Sequence, residues 1–171
     1  MNNDTSDLAI ELISLYEGIK LKPYKDATGI PTIGIGNCYY EDGTKVSMQD
    51  KPITEKRANE LLGFALTAFH DQSRLAFGVK LWESLDSFQQ AAILAFVYNC
   101  GLGTMKKCRF FKNMKAEGGV TPTTHQELAT SVVTAGGQVL KGLQRRRLAE
   151  SLVFQGTEPI DSYREAKEAF P

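Results

Sequence analysis

Residues 17–36 read Glu17-Gly-Ile-Lys-Leu-Lys-Pro-Tyr-Lys-Asp26-Ala-Thr-Gly-Ile-Pro-Thr32-Ile-Gly-Ile-Gly36, and it is here that a short helix stops and a glycine-punctuated β-ribbon begins. Just upstream, Ala9, Leu12, Ile13 and Tyr16 recur at i, i+3, i+4 and i+7, which makes them one face of a helix. Asp4, Thr5 and Ser6 offer its N-cap. Gly18 suits a left-handed terminator just past the last turn, so Glu17 falls at the C-terminal end, where the helix dipole disfavours a second negative charge. The expectation is a carboxyl that keeps its proton longer than a free glutamate. From Tyr24 the pattern turns to short extended runs broken by Thr28-Gly29, Gly34 and Gly36, with Pro23 and Pro31 excluding helix. Asp26 and Thr32 then sit on or beside strands that fold back near the helix end.

Two carboxylates and a hydroxyl so placed suit one chemistry. A glycosidase needs a carboxylic acid to protonate the leaving oxygen, and a second group on the other face to hold a water or stabilise positive charge. Taken singly, each residue also has an ordinary structural role: a helix end, a turn former, a strand residue. The spacing Glu, eight residues, Asp, five residues, Thr would arise in a chain of this composition only about 0.04 times by chance, so its context matters. That context, Tyr16-Glu17-Gly18 closing a helix and Thr32-Ile-Gly-Ile-Gly36 following in the ribbon, resembles the phage-type lysozymes. These are the endolysins typified by the T-even phages, glycoside hydrolase family 24. Two further stretches are similar to that family: Phe96-Val-Tyr98-Asn99-Cys-Gly101, and Gly142-Leu-Gln-Arg-Arg-Arg147 followed by Glu150 and Phe154. The likeness covers about residues 5–156.

The resemblance implies a lysozyme-like α+β fold, mainly helical. A small β-containing lobe at about 18–53 and an all-helical lobe at 79–156 plus 1–17 would be joined by a long helix at 54–77, with a tail at 157–171, all in one catalytic domain. It also implies a muramidase that cleaves the β-1,4 bond between N-acetylmuramic acid and N-acetylglucosamine with inversion. Glu17 would be the general acid. Asp26 would stabilise the oxocarbenium-like transition state or help place the attacking water, and Thr32 would hydrogen-bond that water. Tyr98, Asn99, Cys38 and Phe111 match positions lining the sugar cleft. Two departures accompany the match: Asn37 stands where relatives often carry His, and Cys38 where they often carry Leu. Phe111 likewise replaces a small hydroxyl residue, so saccharide contacts there should differ.

Composition bounds the rest. A chain of 171 residues, 42% hydrophobic, can bury an ordinary core. The opening Met1-Asn-Asn-Asp4 has no basic region and the apolar stretch after it holds Glu11, so neither a signal peptide nor a transmembrane segment is expected. The expected location is the host cytoplasm until lysis and the periplasm and wall thereafter, with holin-dependent release. Cys38, Cys100 and Cys108 are odd in number and lack ligand spacing, which reads as reduced thiols. His70 and His125 have no Cys or carboxylate partner at ligand spacing, so no metal and no cofactor is expected. Net charge is zero, yet residues 106–147 hold nine basic side chains against two acidic ones. Such a face would attract a polyanion: peptidoglycan itself, or anionic outer-membrane lipid. Nucleic acid is not an expected partner, and a monomer is expected.

The helices can be placed in outline. Glu41-Asp-Gly-Thr44 reads as a turn between Cys38-Tyr-Tyr40 and Lys45-Val46. Thr54 can cap a helix striped by Ala58, Leu61, Leu62, Ala65, Leu66 and Phe69, which runs to Gly78. Asp86 with Gln89 starts another, apolar on nearly every side from Ala91 to Val97 and ended by Gly101. Further helices are expected at about 105–116, at 124–135 with a Thr124/Glu127 capping box, and at 143–154. Residues 157–171, with a possible Asp161 cap, read as a short helix or loose tail. Three other functions compete: a lytic transglycosylase or chitinase on a related fold, an inactive wall-binding module, and a lipid- or nucleic-acid-binding protein acting through 106–147.

Overall fold

The computed structural model describes residues 1–26 and 28–171. It opens with helix α1 (Asn3–Glu17), followed by strands β1 (Lys20–Lys25) and β2 (Pro31–Gly34) and the long helix α2 (Glu55–Phe77). Short α3 (Val79–Glu83) leads to α4 (Ser87–Cys100), α5 (Leu102–Met105), α6 (Arg109–Glu117) and α7 (Thr124–Ala129). A two-residue pair, β3 (Thr134–Ala135) and β4 (Gln138–Val139), precedes α8 (Lys141–Phe154) and α9 (Pro159–Ala169). The chain is thus a mainly helical α+β protein.

Helix α1 buries the stripe expected of it, Ala9, Leu12 and Ile13, but its cap lies further upstream. Asn2 accepts from the Thr5 N–H at 2.7 Å, and Thr5 is itself fully buried inside the helix, its hydroxyl directed at Gln90. Gly18 ends the helix with φ 70° and ψ 174°, a positive φ open to glycine but not the left-handed helical conformation expected. Its N–H still reaches the Ser14 carbonyl at 3.0 Å, so the terminal carbonyl is satisfied.

β1 and β2 pair antiparallel, Lys20 opposite Gly34 and Lys25 opposite Pro31, with an irregularity between. Pro23 fits there because the ribbon has only two strands and each is an edge. A small apolar cluster, Ile33, Val46 and Leu61, seats the ribbon on α2. Asn37 adds a tether, its amide nitrogen donating to the Leu61 carbonyl at 3.3 Å. A histidine at that position could have made a charged pair; this bond is neutral at every pH of interest. α2 starts and stops as its sequence foretells, Thr54 accepting from the Arg57 N–H and Gly78 closing the last turn.

α4 is the axis of the main core. Its Asp86/Gln89 capping box is formed, and every residue from Ala91 to Val97 is buried. α1, α2, α5 and α8 pack around it. Near the α2–α3 junction Trp82 Nε1 donates to His70 Nε2 at 3.1 Å, which leaves the ring proton of His70 on Nδ1, facing Asp71.

The expected helix at 124–135 ends at Ala129, and the reason is local. Thr124 does not cap it: its hydroxyl accepts from the Thr121 N–H, and Glu127 accepts from Asn113 on α6 instead of reaching back. Thr130 and Ser131 then turn their hydroxyls onto the Gln126 and Glu127 carbonyls. Val132 takes φ 54°, and Gly136-Gly137, both at positive φ, turn β3 into β4. Residues 157–171 are no loose tail: α9 packs on α8 and α1, starting from Glu158 with Pro159 in its first turn and not from Asp161.

Candidate active site

Glu17 projects from the last turn of α1, about a third exposed, and Arg146 of α8 donates to its Oε1 at 2.5 Å. The expectation for Glu17 rested on the helix end alone; the structure adds a guanidinium, which sets a positive charge against the carboxylate. Arg146 is itself buried, lies over the Tyr16 ring, and reaches Glu150 Oε1 with its Nε at 3.3 Å. The next residue, Arg147, donates to the same Glu150 oxygen at 2.8 Å, so one buried carboxylate holds two guanidiniums. Burial pushes the Glu150 carboxyl upward and the guanidiniums of Arg147 and Arg146 pull it back. Sequence reading counted Arg146 and Arg147 among a basic surface. The signal that could have paired them is the spacing of Glu150 at i+4 and i+3 on one helix face.

Asp26 stands at the end of β1, and its Oδ1 organises the return to β2. It accepts from Thr28 N–H, Thr28 Oγ1 and Ile30 N–H at 2.9, 2.8 and 2.8 Å. This is an Asx-type turn, and it spends one carboxylate oxygen on the loop. The Ile30 N–H above all, then the Thr28 hydroxyl, hold the Asp26 carboxyl below the usual carboxylate range. Thr32, 2% exposed, gives its hydroxyl proton to the Ile30 carbonyl at 2.9 Å, with Cys38 Sγ at 3.5 Å. A hydroxyl has one proton and two lone pairs, so Thr32 is left as an acceptor.

Tyr98, near the end of α4, donates to the Ile35 carbonyl across the gap between helix and ribbon. Burial pushes its phenol above the ordinary range, so it stays a neutral donor. Gly36 is obligatory beneath it: φ is 83°, and a Cβ there would lie 2.7 Å from the Tyr98 oxygen. Phe69 of α2 stands edge-on to the same ring.

Glu17, Asp26, Thr32, Cys38, Tyr98 and Asn99 all line one open cavity of about 560 Å³, together with Tyr24, Asn37, Tyr39 and Phe69. That volume suits a ligand of a few sugar rings. Phe111 is not among them. It is buried in the core against Phe77, ring centroids 4.7 Å apart, so the match to a cleft position does not carry over. Nor are all the basic side chains of residues 106–147 on the surface: Arg146 and Arg147 are buried, and Arg145 is half-buried with its Nε on the Phe170 carbonyl. Lys106, Lys107, Arg109, Lys112, Lys115 and Lys141 are exposed. Among the described residues no three His, Cys, Asp or Glu side chains are grouped to hold a metal ion, and no helix is long and apolar enough to cross a membrane.

Known proteins carry the same chain plan. Residues 14–150 match the family model for phage lysozyme. An endolysin of Bacillus phage PZA is 30% identical over 154 residues, 90% of this chain and 56% of that protein. A SAR-endolysin of Haemophilus phage HP1 is 26% identical over 166 residues, 90% of this chain and 82% of that one. The chain thus spans little more than half the length of the first relative and most of the second. Among solved structures, an endolysin from Escherichia coli O157:H7 phage FAHEc1 superposes with a TM-score of 0.70 at 27% identity, covering 90% of this chain and 91% of that one. The matched span holds Glu17 at the end of α1, the ribbon with Asp26 and Thr32, and the helices that back them, and the chain belongs to the phage lysozyme family.

Proposed function

We propose that this chain is a muramidase that hydrolyses the β-1,4 bond between N-acetylmuramic acid and N-acetylglucosamine in bacterial peptidoglycan, as a phage endolysin does in host lysis. One observation carries the reading. A carboxyl at a helix end, a second at a ribbon turn and a buried acceptor hydroxyl line a single cavity, each already fixed by its own hydrogen bonds.

Glu17 is the general acid. With Oε1 engaged by Arg146, Oε2 carries the proton to the leaving glycosidic oxygen, and the guanidinium faces the carboxylate that results. Asp26, kept ionised by its loop, stabilises the oxocarbenium-like transition state and orients the attacking water. Thr32 accepts a hydrogen bond from that water, because its own proton is committed to Ile30, and the proton the water sheds on attack passes to the Asp26 carboxylate. An inverting reaction needs the two carboxyls about 6.5–9.5 Å apart to admit the water. Tyr98, Asn99 and Cys38 contact the glycan.

The chain acts as one catalytic domain, with α2 joining a ribbon-bearing lobe to a helical one. It works as a monomer, reaches the wall from the host cytoplasm through a holin, and can meet anionic lipid through the exposed Lys106, Lys107, Arg109, Lys112, Lys115 and Lys141. Mass spectrometry of digested wall tests the reaction: the reading predicts reducing N-acetylmuramic ends, and anhydro ends would refute it in favour of a transglycosylase.

A further inference from the structure

At the cavity wall the orientation of one amide is dictated from behind. Arg147 is wholly buried, and its guanidinium lies 4.4 Å over the Phe96 ring. Nη2 donates to Glu150 Oε1 at 2.8 Å and to Asn99 Oδ1 at 2.7 Å, while Nη1 donates to Cys100 Sγ at 2.9 Å. Stacked on one ring and bonded in three directions, this side chain has no room to swing. The Cys100 thiol adds a second donor to Asn99 Oδ1 at 3.4 Å.

An arginine has only donors, so the asparagine atom it faces must be the carbonyl oxygen. The orientation of the Asn99 amide is therefore set by chemistry and does not depend on telling oxygen from nitrogen. With Oδ1 taken twice, the Nδ2 amine is the half left for the cavity. Among the described residues Nδ2 has no acceptor, and Asn99 is exposed.

We propose that Arg147 is a positioning residue that locks Asn99 as a hydrogen-bond donor, and that Asn99 Nδ2 reads an amide carbonyl of the substrate. This rests on the cavity being the peptidoglycan site. Peptidoglycan offers that carbonyl in two places, the acetamido groups of the sugars and the stem peptides. A hydroxyl can accept from Nδ2 too, but an amide carbonyl is the stronger acceptor, and both sources present it at regular intervals.

Asn99→Asp separates recognition from structure. The replacement keeps an oxygen toward Arg147 and turns their charge-assisted hydrogen bond into an ion pair, so thermal stability holds or rises. The donor is lost, and KM for purified peptidoglycan rises about 3- to 10-fold while kcat changes less. Running the pair also on glycan strands stripped of stem peptides names the source: a rise on both substrates assigns the acetamido carbonyl, a rise on intact wall alone the peptide carbonyl. An unchanged KM on both, with wild type active, overturns the inference and leaves the muramidase reading standing. A wild-type protein that digests neither substrate overturns both.

Discussion

The ribbon and the helical pair α4–α8 hold two sides of one cavity by opposite means. Asp26 is fixed by hydrogen bonds within its own loop, on a sheet of two short strands seated on α2 by a three-residue apolar cluster and the Asn37 tether. Glu17 and Asn99 are fixed from behind by Arg146, Arg147 and Glu150, buried in the main core beside Phe96. The first arrangement keeps the site local, so its residues can change with small effect on the fold. The second ties the site to global stability, because charges buried without their partners are costly.

Breaking the buried hub should show that contrast most strongly. Glu150→Ala leaves Arg147 buried without a counter-charge and Arg146 with Glu17 alone, and chemical denaturation should reveal a loss of about 3–5 kcal/mol. On the ribbon side the severest change is steric. Gly36→Ala forces an unfavourable positive φ and pushes Tyr98 off the Ile35 carbonyl, for a loss of about 1–3 kcal/mol in the same measurement, with activity falling further than stability alone explains. A loss of the size expected for Glu150→Ala at Gly36 would mean that the ribbon is welded to the core after all.

The smallest change sharpens the comparison by pH. The Asp26 carboxyl is depressed in the folded state, so it stays ionised until the pH falls through that lowered value. Any stability it confers is present above the ordinary carboxylate pKa and lost below. Thr28→Val removes one hydrogen bond to it and lets its pKa rise toward the ordinary range. The acid limb of the rate profile should move to higher pH, while the unfolding midpoint at neutral pH hardly changes, because Asp26 is only partly buried and keeps its backbone hydrogen bonds.

What could be read from the sequence follows the same division. Helices whose signals are local, α1 by its apolar stripe, α2 by Thr54 and Gly78, and α4 by its capping box, stand where periodicity and capping put them. The residues of the ribbon announce themselves because its glycines, prolines and Asx turn act over a few positions. What depended on partners far along the chain stayed hidden. Glu127 fits a capping box with Thr124 by spacing, but Asn113 on α6 claims its carboxylate, and Thr124 turns to its own neighbour Thr121. Phe111 could have faced a ligand or the core, and only the placement of Phe77 decides. Arg146 reads as surface charge because Glu17 reaches it only once α1 and α8 pack, and Arg147 because its burial over Phe96 needs α4 against α8, although the spacing of Glu150 on their own helix was legible.

The account stands on Glu17 as the group that supplies the proton. Glu17→Gln keeps an oxygen for Arg146 and removes only the acid, so the variant should unfold close to the wild-type midpoint. Its initial rate of clearing chloroform-treated Gram-negative cells should nonetheless fall by about 10²–10⁴-fold. A folded variant that clears them at the wild-type rate contradicts the account.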